Sequence, residues 1–374
     1  MTATTRPRIG LLAAPETSAS VLYGLYDVLL SVGPMWPDMT AAEPGDALLD
    51  VPIVAATAEP FRCFGGILVE PHAALADAGE LDAVVVCDMY TPVDAPPRGR
   101  FAVEVEWLWR VHSRGTLVSS VCSGSLLLAE SGLLDGRSCA GHWAYRDLFH
   151  TAYPRIRFAP GAILDTTSEQ DGLITAGGVT SWQDLALHLI ARYCGPDHAA
   201  RTAKVYLLGG HEDGQLPFSA MARRVQGDDA VIRGSLTWIQ DNYASPSPVT
   251  AMAEHSGLAG RTFARRFQAA TGRRPIDYVH ALRIETARGL IEAGASPIDD
   301  VGYAVGYEDP TFFRRLFKRT TGLTPAAYRR KYAPIVPVSA ARPRATVDVA
   351  QTAEQPRNPG PRRARAGGRP KLAQ

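Results

Sequence analysis

Cys122 is the residue best placed for chemistry. It stands in TLVSSVCSGSLLLAE, flanked by the small residues Ser120, Ser123, Gly124 and Ser125. The run before it has the composition of a strand and the run after it that of a helix. A cysteine at such an elbow meets the partial positive charge of a helix N-terminus, which favours thiolate. His142 follows twenty residues later in GHW and is a candidate base partner. An isolated pair of this kind is more commonly a small buried cysteine and a surface histidine. The elbow therefore argues for a ligand pocket ahead of a reaction. A second set of residues suits polyanion recognition: Arg261, Thr262 and Arg265 in one stretch, and Asp309, Thr311, Arg314, Arg315 and Lys318 in another. Arginine can bond guanine bidentately in a major groove about 12 Å wide and discriminate by roughly 1–3 kcal/mol.

Those two stretches are copies of one another. SGLAGRTFARRFQAATGRRP aligns with VGYEDPTFFRRLFKRTTGLTP: Gly257 matches Gly306 at 49 residues, while Phe263, Phe267, Gly272 and Pro275 match Phe313, Phe317, Gly322 and Pro325 at 50. Self-similarity at this period means one supersecondary unit used twice. Each copy reads as helix, tight turn and helix: 249–255 then about 260–270, and 298–304 then a helix from about 309. Glycine supplies the positive φ of a sharp turn between crossed helices. The paired phenylalanines, four apart, mark the buried face and leave the basic residues outward. The one-residue slip between Gly and Phe calls for a longer turn in the second copy. Between the copies, 275–294 has the spacing of a connecting helix about 30 Å long. Such a span lets two units reach successive major grooves roughly 34 Å apart.

The elements that must position Cys122 alternate. Apolar strands are expected at 8–14, 82–88 and 116–122, helices at 20–33, 100–115, 123–134 and 182–194, and a hairpin within 163–178. Alternation of this kind specifies an α/β domain, a parallel sheet with helices on both faces.

Composition narrows the function class. Hydrophobic residues at 46% and charged residues at 21% are those of an ordinary globular chain. No run approaches 18 apolar residues and the N-terminus carries no signal-peptide pattern, so neither a membrane span nor export is expected. Five cysteines without a C-x-x-C pair argue for a reducing cytoplasm and against a zinc site or a disulfide framework. The net charge of +1 conceals a gradient. Residues 1–227 carry −9, residues 228–333 carry +4 and the last 41 residues carry +6, so a polyanion is expected to meet the back half.

Beyond these readings, residues 230–332 resemble the DNA-binding domain of AraC/XylS-type regulators. The densest match is GYEDPTFFRRLFKRTTGLTPAAYRRKY (306–332). The resemblance implies that Arg261, Thr262 and Arg265 approach bases in the first unit, and Asp309, Thr311, Arg314, Arg315 and Lys318 contact DNA in the second. The sequence departs from the pattern at Ala259, where a serine usually caps the reading helix; a lost cap costs about 1 kcal/mol. Residues 8–200 resemble the PfpI-like branch of the class I glutamine-amidotransferase-like superfamily, through VCSGSLLLAESGLLDGRSCAGHW (121–143) and AGGVTSWQDLALHLI (176–190). That implies a flavodoxin-like sheet. Enzymes of the branch pair the elbow cysteine with a histidine and an acid from the first helix region. Here Val21 or a neighbour stands at the acid's place, and Glu16 lies a turn earlier. Cys122, His142, Ser123 and Glu16 are therefore expected to line a ligand pocket rather than a catalytic centre.

In this order the halves resemble GlxA-type regulators, an AraC-family branch. The resemblance implies an activator of genes for the uptake or catabolism of small nitrogenous metabolites. Double-stranded promoter DNA, a small-molecule effector, a second copy joined through the front domain and RNA polymerase are the expected partners, with no cofactor or metal. The expected layout is an N-terminal tail (1–7), a sensor domain (8–208), a loosely packed linker (209–229), a double helix-turn-helix domain (230–333) and a disordered basic tail (334–374). The alternative is a Cys-dependent amidase or hydratase fused to a DNA anchor.

Overall fold

The computed structural model describes residues 6–40, 45–209, 211, 214–218, 229–293 and 296–332; the expected basic tail lies outside them. Seven strands form one sheet: β1 (Ile9–Leu12), β2 (Ile53–Ala55), β3 (Ala73–Ala74), β4 (Ala83–Val86), β5 (Leu117–Val121), β6 (Leu164–Asp165) and β7 (Leu173–Ala176). Their order is β6-β7-β5-β4-β1-β2-β3. Every pairing is parallel except β6 with β7, the expected hairpin, where Leu164 faces Ala176.

Strands β1, β4, β5 and β7 are buried along their whole length because helices cover both faces. On one face Ile9, Leu11, Val85 and Ile174 pack against α1 (Ala19–Leu30) and the helix Trp182–Cys194. On the other Leu12, Val84, Val86 and Val118 pack against Ala102–Ser113 and the short helix Ser125–Glu130. The chain runs rightward from β1 to β2 and β3, then returns to the left through β4, β5 and β7. Ligands of open α/β sheets bind at the carboxyl ends of the strands near such a reversal. Cys122 lies at one of those ends.

Several boundaries differ from the sequence reading. The expected helix 123–134 is a 3₁₀ turn over Cys122–Gly124 followed by a helix that stops at Glu130, because Gly132 turns the chain at φ 74°. Strands β2 and β3, of three and two residues, are too short to show a period. The helix Pro196–Tyr206 has no counterpart among the elements expected from the sequence. Some described residues lie within the expected linker, 209–229. His211 and Gly214–Phe218 are stitched to the α/β body by His211 Nδ1 to Asp184 at 2.7 Å and by the Gln215 amide to Gly141 and Ala162.

The back half is helical. Ala230–Asn242 leads into the first unit, Pro248–His255 and Gly260–Thr271. The connecting helix Pro275–Glu292 follows, then the second unit, Ile298–Ala304 and Pro310–Thr321, and the closing helix Pro325–Tyr332. The second turn is one residue longer than the first, as the slip in the repeat requires. The connecting helix serves two cores: Tyr278, Val279 and Leu282 join Phe263 and Phe267, while Ile284, Ala287 and Ile291 join Phe313 and Phe317. Among the described residues no helix is long and apolar enough to cross a membrane.

Candidate functional site

The outward face of each reading helix follows from what its other face buries. In Gly260–Thr271, Phe263, Phe267 and Ala270 are buried and the phenylalanine rings meet at 5.5 Å. Arg261 and Arg265 are left exposed and Thr262 half-buried; among the described residues neither arginine is held in an ion pair. Arg266 turns the other way. It binds Asp229 through two nitrogens at 2.9 and 2.7 Å, and Asp229 also caps the helix Ala230–Asn242. Ala259 stands at the N-cap with no side-chain bond, as read from the sequence.

The second helix repeats the plan with added restraints. Phe313 and Phe317 are fully buried, their rings 5.8 Å apart. Thr311, Arg314, Arg315 and Lys318 are exposed. Asp309 is the N-cap, its carboxylate accepting the Thr311 N–H at 2.8 Å, so it has a structural role before any DNA arrives. Arg314 Nη2 lies 2.5 and 2.7 Å from the two carboxylate oxygens of Asp299 on the preceding helix. Arg315 lies over the Phe312 ring at 5.8 Å.

One buried cation fixes the second unit to the first. Arg283, on the connecting helix and 6% exposed, donates to the carbonyls of Tyr243 and Gly306 at 2.7 Å and of Ser245 at 2.8 Å. Gly306 has φ +89°, and a Cβ there would stand 2.6 Å from the Ala244 carbonyl oxygen. Sequence reading found Gly306 but missed Arg283, whose acceptors are all backbone.

At the elbow, Cys122 adopts φ 56°, the left-handed region that side chains rarely occupy. It is 5% exposed. Burial, reinforced by nearby Asp88, pushes its thiol up to about 12. Desolvation outweighs what a 3₁₀ turn and a six-residue helix offer the thiolate. Among the described residues no hydrogen bond joins Glu16 to Cys122; the Glu16 carboxylate lies on Arg100 at 2.5 Å. The acid beside Cys122 is Asp88, just past β4, which accepts the Ser18 N–H at 3.2 Å and the Ser18 hydroxyl at 2.5 Å. Burial raises its pKa. Asp88 was legible in principle, as the polar residue ending the apolar run DAVVVCD. Ser123 Oγ accepts the Met89 N–H at 3.0 Å, and the Tyr145 hydroxyl donates to the Thr91 carbonyl at 2.8 Å.

His142 accepts the Ala144 N–H on Nδ1 at 3.2 Å and stacks obliquely on Trp143. Burial lowers its pKa. Among the described residues no hydrogen bond joins it to Cys122. The structure thus brings a protonated thiol, a buried acid and a neutral imidazole to one edge of the sheet without linking them as a relay.

Comparison with known proteins matches both halves. The model of the DJ-1/PfpI family matches residues 27–192, and that of a helix-turn-helix domain matches residues 252–331. The HTH-type transcriptional regulator CdhR of Pseudomonas aeruginosa is 26% identical over 281 residues, 74% of this chain and 80% of the relative. The HTH-type transcriptional regulator GlxA of Rhizobium meliloti is 28% identical over 230 residues, 60% of this chain and 68% of the relative. An isonitrile hydratase of Pseudomonas putida is 29% identical over 197 residues, 51% of this chain and 74% of the relative.

Proposed function

We propose that this chain, which joins a DJ-1/PfpI domain to an AraC-type helix-turn-helix domain, is a sequence-specific transcription regulator that answers a small metabolite through its α/β half. The observation that carries the reading is the pair of outward basic faces, Arg261 with Arg265 and Arg314 with Arg315, on two units sharing one connecting helix. That helix has 18 residues and is therefore about 27 Å long, a length suited to neighbouring major grooves on one side of the duplex. Arg265 and Arg314 read bases; Thr262, Thr311 and Lys318 support them. Relatives named as transcriptional regulators favour the same conclusion. The effector sits at the carboxyl edge of the sheet near Cys122 and His142, a second copy joins through the α/β domain, and RNA polymerase is recruited to activate transcription in the cytoplasm. The working domain limits are 8–208 and 230–333.

The test is titration of the full chain against a DNA fragment it has selected and a scrambled one, over a salt series. A specific regulator binds its own fragment ~10³-fold or more tightly. A ratio near one would leave only a non-specific binder.

The isonitrile hydratase relative and the left-handed φ of Cys122 favour a second reading, turnover at the elbow. A thiol raised to about 12 and unconnected to His142 opposes it. Conversion of an isonitrile by the purified protein, lost in Cys122→Ala, would establish that reading; no turnover would leave the sensor.

A further inference from the structure

Within the linker the short described stretch Gly214–Phe218 bonds to both halves, and we infer that Gly214–Pro217 couples the elbow site to the second helix-turn-helix unit with Gln215 as its sensor. The inference rests on the regulator reading above and adds the route between its two sites.

Gln215 is 3% exposed. Its main-chain N–H donates to the Gly161 carbonyl at 3.1 Å, and its side-chain Nε2 donates to the carbonyls of Gly141 at 2.9 Å and Ala162 at 2.7 Å. Two carbonyl acceptors fix the amide's orientation, with nitrogen toward them. The side chain lies over Gly177, where a Cβ would come within 2.1 Å of Nε2. Ala176 pairs with Val121, so Gly177 and Cys122 leave neighbouring strands side by side. Oε1 points toward Gly178, 3.1 Å from where its Cβ would stand, and His142 Cδ2 is 4.0 Å from the same point. Among the described residues Oε1 is buried without a hydrogen-bond partner. A buried amide oxygen left unpaired is costly and calls for a reason. A ligand presenting an N–H or O–H between His142 and Gly178 supplies one.

Two residues further on, the Pro217 carbonyl accepts from Arg288 Nη2 on the connecting helix. Arg288 is 9% exposed. Its Nε donates to the Tyr328 hydroxyl at 3.0 Å, and that hydroxyl donates to Glu292 at 2.6 Å. The turn Leu216–Phe218 packs against the second reading helix. A donor on Oε1 changes the hold of Gln215 on the α/β body, and Pro217 carries that change to the core of the second unit. Because coupling is reciprocal, DNA held by the reading helices must register at the site.

Hydrogen exchange of the full chain, free and saturated with a DNA fragment it has selected, tests this. In the wild type, DNA changes exchange in 140–146 and 176–182 as well as protecting the reading helices. In Gln215→Ala, and separately in Arg288→Lys, the reading helices remain protected but the change in the two loops is lost. Loops that still respond in either folded variant, or that never respond in the wild type, would overturn the coupling. Reading helices left unprotected in the wild type would instead remove the regulator conclusion beneath it.

Discussion

Cys122 shows how burial decides what a side chain can do. In the unfolded chain its thiol titrates near 9.0, and in the folded protein near 12, so the folded state holds the proton more tightly. Its stabilising contribution is complete below pH 9 and falls away as pH rises from there toward the folded value. A denaturation midpoint followed against pH should drop above pH 9, and drop less in Cys122→Ala, with Cys139, also raised to about 12, accounting for part of what remains. An unchanged alkaline fall in the variant would contradict this. Iodoacetamide should label half-buried Cys194 ahead of Cys122 at neutral pH. Arg314 poses a different question, because Asp299 already occupies it. Both partners are exposed, at 53% and 42%, and such a pair is worth about 1 kcal/mol at most. DNA can therefore displace the carboxylate. Asp299→Asn should tighten DNA binding by up to about fivefold and leave the salt slope no shallower; weaker binding would show that the pair positions Arg314 rather than restraining it.

At the scale of elements, the two units differ at their caps and in how they are anchored. Asp309 caps its helix and Ala259 does not, although the backbone at Ala259 is extended at φ −60°, ψ 139°, as a cap residue requires. Ala259→Ser should stabilise the first unit by about 1 kcal/mol, read as a higher denaturant midpoint; no gain would mean the serine hydroxyl fails to reach the free N–H groups. Arg283→Met strips three backbone carbonyls of their donor and should cost roughly 3 kcal/mol or more. The repeat was legible because Gly257, Gly306 and the phenylalanine pairs sit where turn geometry and a buried helical face permit few alternatives. Arg283 was not, since a cation bound to main-chain oxygens leaves no complementary residue to find. The break after Glu130 was hidden for a similar reason: Leu126–Leu128 suit a longer helix, and Gly132 ends it through a backbone angle.

For the whole molecule, the order of an acidic α/β half and a basic helical half was readable from alternation, charge and repeat. The sheet's switch near Cys122 followed from that topology rather than from any motif. What the sequence concealed is the stitching between the halves. His211, Gln215 and Pro217 sit in a polar, glycine-containing stretch with no period, yet their partners, Asp184, Gly141, Ala162 and Arg288, are distant in the chain, and Gly141 and Ala162 act through main-chain carbonyls. The central claim, that the two outward faces together choose particular DNA sites, is tested most directly by capture of genomic fragments at about 150 mM salt with the full chain and with an Arg265→Ala, Arg314→Ala double variant. Enrichment of a few upstream regions, lost in the double variant, is the expected result; equal recovery of all fragments by both proteins would contradict it.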